Sequence, residues 1–267
     1  MNNLGIIAGS GDFPLLVAKG ARSMGHKQIV VAALIGETKK DIEMLADIVV
    51  WIELNQLKEI VHCFKKNGCT SVAFAGQITP TKLFSQLKLD LRLAEAMVNV
   101  EYRGAGPYFG KIAKELAIDG INIIDSTSFV KDHLARAGVM TKNKPSKELQ
   151  GDIEKGYQLA KQIAEYGIGK TLVMKEGTLV SVEAIEGTNK TIERAGELAG
   201  SDTIVFKVAG STAEKKLSIP VVGIETIKVM KDAKASVLVL DKLSTIMLNL
   251  KEVVKFSEQN NIAIVGM

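Results

Sequence analysis

The run Leu4 to Ala8, followed by Gly9-Ser10-Gly11-Asp12 and a helical pattern from Pro14 to Gly25, limits this chain more than any other stretch. A short apolar run that ends in glycines and passes directly into an amphipathic helix with proline near its start is a strand, loop and helix unit. Comparable runs follow. His26 to Leu34, Asp47 to Leu54 and Thr70 to Ala75 read as strands, and Asn55 to Asn67 as a helix that Asn55 can cap. Thr81 to Val100 and Tyr108 to Ala117 have helical spacing, Ile121 to Ile124 reads as a further strand, and Asp125-Ser126-Thr127-Ser128 as a polar cap ahead of Phe129 to Ala137. This alternation implies an α/β fold with a doubly wound sheet.

The glycine loop has the form G-x-G-x-x-P, with Gly9, Gly11 and Pro14 at the marked positions. Two readings stay open: contact with a phosphate or sugar nucleotide at a helix N-terminus, or a tight strand-to-helix turn. A nicotinamide site would call for an acidic residue at the end of the second strand, and none stands there convincingly. The G-x-x-x-x-G-K-[ST] loop of nucleoside triphosphatases does not occur.

Gly138 to Gln150, with a proline, several charges and little periodicity, is expected to be a linker between a first domain, 1–137, and a second, 151–267. The second opens with a helix at Asp152 to Tyr166, on which Ile153, Tyr157, Ala160 and Ile163 share a face. Thr171 to Val182 reads as a hairpin around Glu176-Gly177. It leads to Glu186-Gly187-Thr188, a strand-to-helix turn where Gly187 admits a ligand to the backbone and Thr188 or Asn189 can cap the helix. Thr203 to Val208, Ser236 to Leu240 and Ile262 to Val265 are expected strands, with helices at Glu225 to Lys231 and Lys251 to Asn260 between them. The second domain is thus also α/β.

Composition removes several function classes. The net charge of +4 is spread over both halves, so no basic arm points to nucleic acid, and 5% aromatics provide no stacking platform for single strands. Cys63 and Cys69 flank the Asn67-Gly68 helix end and read as buried thiols, with no zinc ligand set around them. His26, His62 and His133 lie in different elements without a motif. The N-terminus has no secretory pattern and no run reaches the roughly 20 apolar residues of a membrane span, so the expected location is cytoplasmic.

Several blocks, in order, carry a resemblance: GIIAGSGDFP, GQITP at 76–80, Asp152-Ile-Glu-Lys-Gly156, Gly167-Ile-Gly169, VEAIEGT at 182–188, Arg194 and Ile219-Pro-Val-Val-Gly223-Ile-Glu-Thr226. The chain resembles the LpxI-type UDP-2,3-diacylglucosamine pyrophosphatases of lipid A synthesis over nearly its whole length. The resemblance implies a Rossmann-like N-terminal domain, a C-terminal α/β domain, and a lipid-bearing sugar nucleotide between them. Hydrolysis to UMP and 2,3-diacylglucosamine 1-phosphate, magnesium as the ion, peripheral membrane contact and a homodimer follow from it as expectations. It assigns ligand contact to Gly9, Gly11, Asp12, Gly104 and Gly106 in the first half. In the second it assigns Glu186, Gly187, Thr188, Asn189, Arg194, Lys207, Ser218 and Thr226.

The chain departs from the pattern in one direction. Where the family has Gly-Asp-Asp, this sequence has Gly104-Ala105-Gly106, and the aspartate after EGT is Asn189. The aspartate of the family's Arg-x-Asp-Leu-Pro, important for hydrolysis, is matched by Ser218, and Asp-Ile-Gly-Gln by Gly167-Ile-Gly169-Lys170. Serine and asparagine hydrogen-bond a phosphate but offer neither the charge a hard cation prefers nor an effective base. The second expectation is therefore a non-catalytic protein that binds a UDP-sugar or another phosphorylated small molecule.

Overall fold

Apolar alternation in the N-terminal half resolves into a parallel sheet. The computed structural model describes residues 3–79, 105–210 and 216–267, which fall into two units. In the first, β1 (Asn3–Ala8), β2 (Ile29–Leu34), β3 (Ile48–Ile52), β4 (Cys69–Ala75) and β5 (Asn122–Ile124) pair in parallel in the order β3-β2-β1-β4-β5. Every residue of β2, IVVAAL, is buried, as a central parallel strand with both faces covered requires. Helices α1 (Phe13–Ser23), α2 (Leu57–Lys66) and α3 (Ala105–Ile118) cover the sheet. Ile60, Phe64, Ile112 and Leu116 pack against Val30, Leu34 and Val72 in one core, where Phe74 meets Phe109 edge to face at 4.9 Å. Cys63 and Cys69 are buried free thiols in the same core, and burial pushes both up to about 11.

The second unit is built on a six-stranded mixed sheet. It contains β6 (Gly138–Val139), β7 (Thr171–Lys175), β8 (Thr178–Val182), β9 (Ile204–Lys207), β11 (Val237–Leu240) and β13 (Ala263–Gly266), ordered β6-β13-β11-β9-β7-β8. Strands β9, β11 and β13 are parallel, and the outer strands run antiparallel to their neighbours. A small parallel pair, β10 (Val221–Val222) and β12 (Ile246–Met247), lies apart from it. Period-two alternation sorts the core. Ile204, Phe206, Val237 and Val239 pack toward α4 (Gln150–Glu165). Val205, Leu238 and Leu240 pack toward α5 (Thr188–Ala199), α6 (Ile224–Asp232) and α7 (Leu250–Gln259).

Sequence blocks outside the strands acquire physical reasons here. Glu176 and Gly177 both have positive φ, 47° and 73°, the geometry of a two-residue hairpin turn that suits strand twist. The Gly177 N–H donates to Asp152 Oδ2 at 2.9 Å, so the first turn of α4 holds the hairpin. Gly156 faces the sheet so closely that a Cβ there would sit 2.2 Å from the Phe206 ring.

Three expectations change. Residues 138–150 are not a free linker: β6 adds to the sheet against β13, Met140 N–H donates to Ile264 O, and Thr141 Oγ1 accepts from Ile264 N. The division between units falls after Val130. An edge strand of two residues, Gly138–Val139, needs only backbone groups, so composition does not mark it. Phe129 to Ala137 contains no α-helix; Asp125 accepts from Thr127 N and opens only the 3-10 turn Ser126–Phe129, with another at Lys131–His133. Asn55 does not cap α2, which starts after Gln56. The pattern at Thr81 to Val100 lies outside the described residues.

Gly156→Ala should destabilise the protein by about 1–3 kcal/mol through overpacking against Phe206. Gly151→Ala in the same helix, with open space at its Cβ, should be neutral or stabilise by about 0.5–1 kcal/mol. Urea denaturation of both variants checks the contrast.

Candidate functional site

At the carboxyl edge of the first sheet, strand order reverses between β1 and β4, so the loops that follow them leave side by side, where open α/β sheets take ligands. The loops touch. A Cβ on Gly9 would lie 2.3 Å from Gln77 O, and one on Gly76, at φ 92°, 2.6 Å from Ser10 O. Ser10 N–H donates to Gln77 O at 2.7 Å, and the Ser10 hydroxyl reaches the same carbonyl at 3.0 Å. Gly11 has φ 86° with open space around it, directly before the α1 N-terminus. Asp12 does not cap that helix; its carboxylate pairs with Lys39. In the loop after β2, Glu37 accepts from Thr79 N at 3.2 Å and from the Thr79 hydroxyl at 3.0 Å.

Of the other expected first-half residues, Gly106 lies within α3 and Gly104 is outside the described residues. Ser218 is half-buried and groups with the first unit, beside Leu217, which packs on that unit's core.

The second unit presents the EGT turn. Gly187, at φ 82° and ψ 168°, is a backbone conformation that a side chain rarely tolerates, and α5 begins immediately after it. Glu186 closes the turn: it accepts from Ala184 N at 3.1 Å, from the Thr191 hydroxyl at 3.3 Å and from Arg194 Nη2 at 2.6 Å. Arg194 also donates to Val182 O at 3.1 Å. Burial drives the Glu186 carboxyl upward, but backbone donors and Arg194 outweigh it and hold it below the usual range. Glu186 and Arg194 therefore satisfy one another and shape the turn.

Neither Thr188 nor Asn189 caps α5. The first helical bond is Thr191 N to Gly187 O, so the amides of Thr188, Asn189 and Lys190 lack intrahelical acceptors. Beside them is a buried lysine, linked to the Glu183 carboxylate through the Thr188 hydroxyl. Lys207, at the end of β9 and 3% exposed, donates to Thr188 Oγ1 at 2.5 Å and Thr171 Oγ1 at 3.3 Å. Glu183 accepts from Thr188 Oγ1 at 2.9 Å and from Lys170 N at 3.2 Å. Burial raises the Glu183 carboxyl, but the Lys207 charge and these donors prevail and hold it low; burial lowers Lys207, against the pull of Glu183. Thr226 is buried on α6, its N–H bonded to Gly223 O.

A second network was not anticipated. Asp241, 6% exposed and next after β11, accepts from the Tyr157 hydroxyl at 2.9 Å, Lys161 Nζ at 2.9 Å and Ala209 N at 3.2 Å. Burial and the Asp241 charge drive the Tyr157 hydroxyl well above its ordinary range. The signal was present: Tyr157 and Lys161 are four apart on one helical face, and Asp241 ends a buried strand.

Chemically, the EGT turn offers donors to an anion above a buried cation. The carboxylates Glu183, Glu186 and Asp241 are already engaged. Among the described residues no three His, Cys, Asp or Glu side chains gather as a metal set.

Glu183→Gln should cost about 1–3 kcal/mol, because Lys207 then keeps only the Thr171 and Thr188 hydroxyls, and Glu183→Gln with Lys207→Met should recover much of it. Since the folded Glu183 carboxyl sits below its usual value of 4.5, its contribution is complete above that pH and lost as pH falls through the depressed value. The acid limb of a stability-pH curve should accordingly be shallower in Glu183→Gln.

Family models for the LpxI N-terminal and LpxI C-terminal domains match residues 3–133 and 136–265. The UDP-2,3-diacylglucosamine pyrophosphatase LpxI of Caulobacter vibrioides is 24% identical over 239 residues, covering 85% of this chain and 84% of that protein. Among solved structures, the ADP complex of N5-carboxyaminoimidazole ribonucleotide synthetase is 13% identical with a TM-score of 0.28, covering 74% of this chain and 44% of that one. The biotin carboxylase subunit of pyruvate carboxylase is 14% identical with a TM-score of 0.28, covering 74% and 42%. This chain spans less than half of either. The two domain models, matched in order and together spanning nearly all of the sequence, place the chain in the LpxI family.

Proposed function

We propose that this protein binds a UDP-activated, doubly acylated glucosamine and hydrolyses its pyrophosphate, the activity that the name of its Caulobacter relative describes. Water would form a bond to one phosphorus while the bridging oxygen departs with its electron pair, giving UMP and 2,3-diacylglucosamine 1-phosphate. The observation that carries the reading is the start of α5. Three amides without intrahelical acceptors, at the positive end of the helix dipole and above the Lys207 ammonium, suit a phosphate group. The Gly11 turn ahead of α1 offers a second approach to a helix N-terminus.

The same residues limit the rate. Asn189 and Ser218 stand where the family pattern has aspartates, so they can hold a phosphate oxygen without activating water. Magnesium is the ion that the family resemblance implies, but the described residues gather no carboxylate set to hold it. The reading also takes the protein to be a cytoplasmic homodimer; no described helix is long and apolar enough to cross a membrane.

UMP release from UDP-2,3-diacylglucosamine, followed with and without magnesium, should be measurable but slow. The double variant Asn189→Asp, Ser218→Asp should raise it by about 10²-fold, at the lower end of what a positioned acid-base group contributes. Failure of both proteins at high enzyme concentration would reject hydrolysis. The replaced acids favour a second reading, binding without turnover. It requires a UDP-sugar to stabilise the fold, by about 2.7 kcal/mol at 100 times Kd, while no UMP appears.

A further inference from the structure

On the second unit, α7 and the segment 136–140 enclose a groove of about 440 Å³. Its aliphatic lining, Val139, Met140, Leu250 and Val254, is only partly covered, and Val139 is 42% exposed. Three exposed cations stand over that lining: Arg136, Lys251 and Lys255. Among the described residues none of the three side chains has a hydrogen-bond or ion-pair partner. The groove's one acid, Glu258, is taken: Oε1 accepts from Lys142 N at 2.9 Å, and Oε2 is 3.9 Å from Lys142 Nζ. Cations in search of anions and aliphatic surface in search of cover therefore share one face.

A neighbouring turn extends the pattern. Leu243 N–H donates to Ala135 O at 3.0 Å, one residue before Arg136. Its side chain is 69% exposed and its φ is 57°, a left-handed conformation that leucine seldom adopts. An exposed leucine at a strained turn, next in sequence to Lys242, gains nothing in water.

We infer that this face docks on an anionic lipid bilayer. Lysine and arginine stems lie along apolar surface while their heads reach phosphates, and exposed aliphatic side chains enter the boundary between headgroups and acyl chains. A nucleic acid would satisfy the three cations and leave Val139, Leu243, Leu250 and Val254 uncovered. A bilayer serves both. The inference assigns to this face the peripheral membrane contact that the family resemblance leaves unplaced, and a vesicle test without substrate separates it from the proposed hydrolysis.

Co-sedimentation of the full chain with vesicles, without substrate, tests it. The protein should pellet with phosphatidylcholine vesicles containing phosphatidylglycerol, should stay in solution with phosphatidylcholine alone, and should be released by salt. Lys251→Glu with Lys255→Glu should weaken binding by on the order of tenfold or more. Leu243→Ser should weaken it at constant charge. Lys155→Glu with Lys231→Glu, the same charge change on exposed lysines of α4 and α6, should leave it in place. Thermal melting confirms that each variant is folded. The inference fails if the wild type ignores anionic vesicles, if both double variants lose binding equally, or if a DNA duplex binds as tightly as the vesicles and Leu243→Ser changes neither.

Discussion

A single buried lysine holds the second unit's most distinctive region together. Lys207 ends a buried strand at a position where alternation demands an apolar side chain; the Thr171 and Thr188 hydroxyls accept from its ammonium, and the charge of Glu183, which accepts from Thr188, favours it. Those partners come from β7, the end of the β8 hairpin arm and the first residue of α5. One desolvated cation thus fixes the spacing of three elements. Its desolvation cost is high, and only a complete set of partners offsets it.

This explains a division of labour within VEAIEGT and the residues after it. Glu186 and Arg194 shape the turn, Gly187 supplies its backbone conformation, and the Thr188 side chain serves the buried lysine. What remains for a ligand is mostly main chain. The helix places no structural demand on the side chain at 189, since no cap depends on it. Chemistry can change here while architecture stays, so family membership and retained catalysis are separate questions.

The sequence disclosed elements whose signal is local. Buried parallel strands such as Ile29–Leu34 are continuous apolar runs, and the Glu176-Gly177 turn identifies its hairpin by residue type. It concealed what depends on partners distant in the chain. Nothing local to Lys207 discloses the two threonine hydroxyls it meets, and nothing local to Asp241 discloses that Tyr157 and Lys161 converge on it. Residues 138–150 show the same limit for backbone: hydrogen bonding to β13 leaves no compositional trace. Thr188 has the chemistry of a helix cap, but Gly187 holds the capping position and Thr188 is already the first helical residue, its hydroxyl turned to Lys207 and Glu183.

The contact between the loops after β1 and β4 has a consequence for how the family can diversify. Gly9 is confined by the backbone at Gln77, and Gly76 by the backbone at Ser10. Neither loop can acquire a side chain at these points unless the other retreats, and retreat would break the Ser10 bridge to Gln77. Two glycines far apart in the chain therefore form one heritable unit. Lineages should keep both or lose both together, whatever substrate they come to serve.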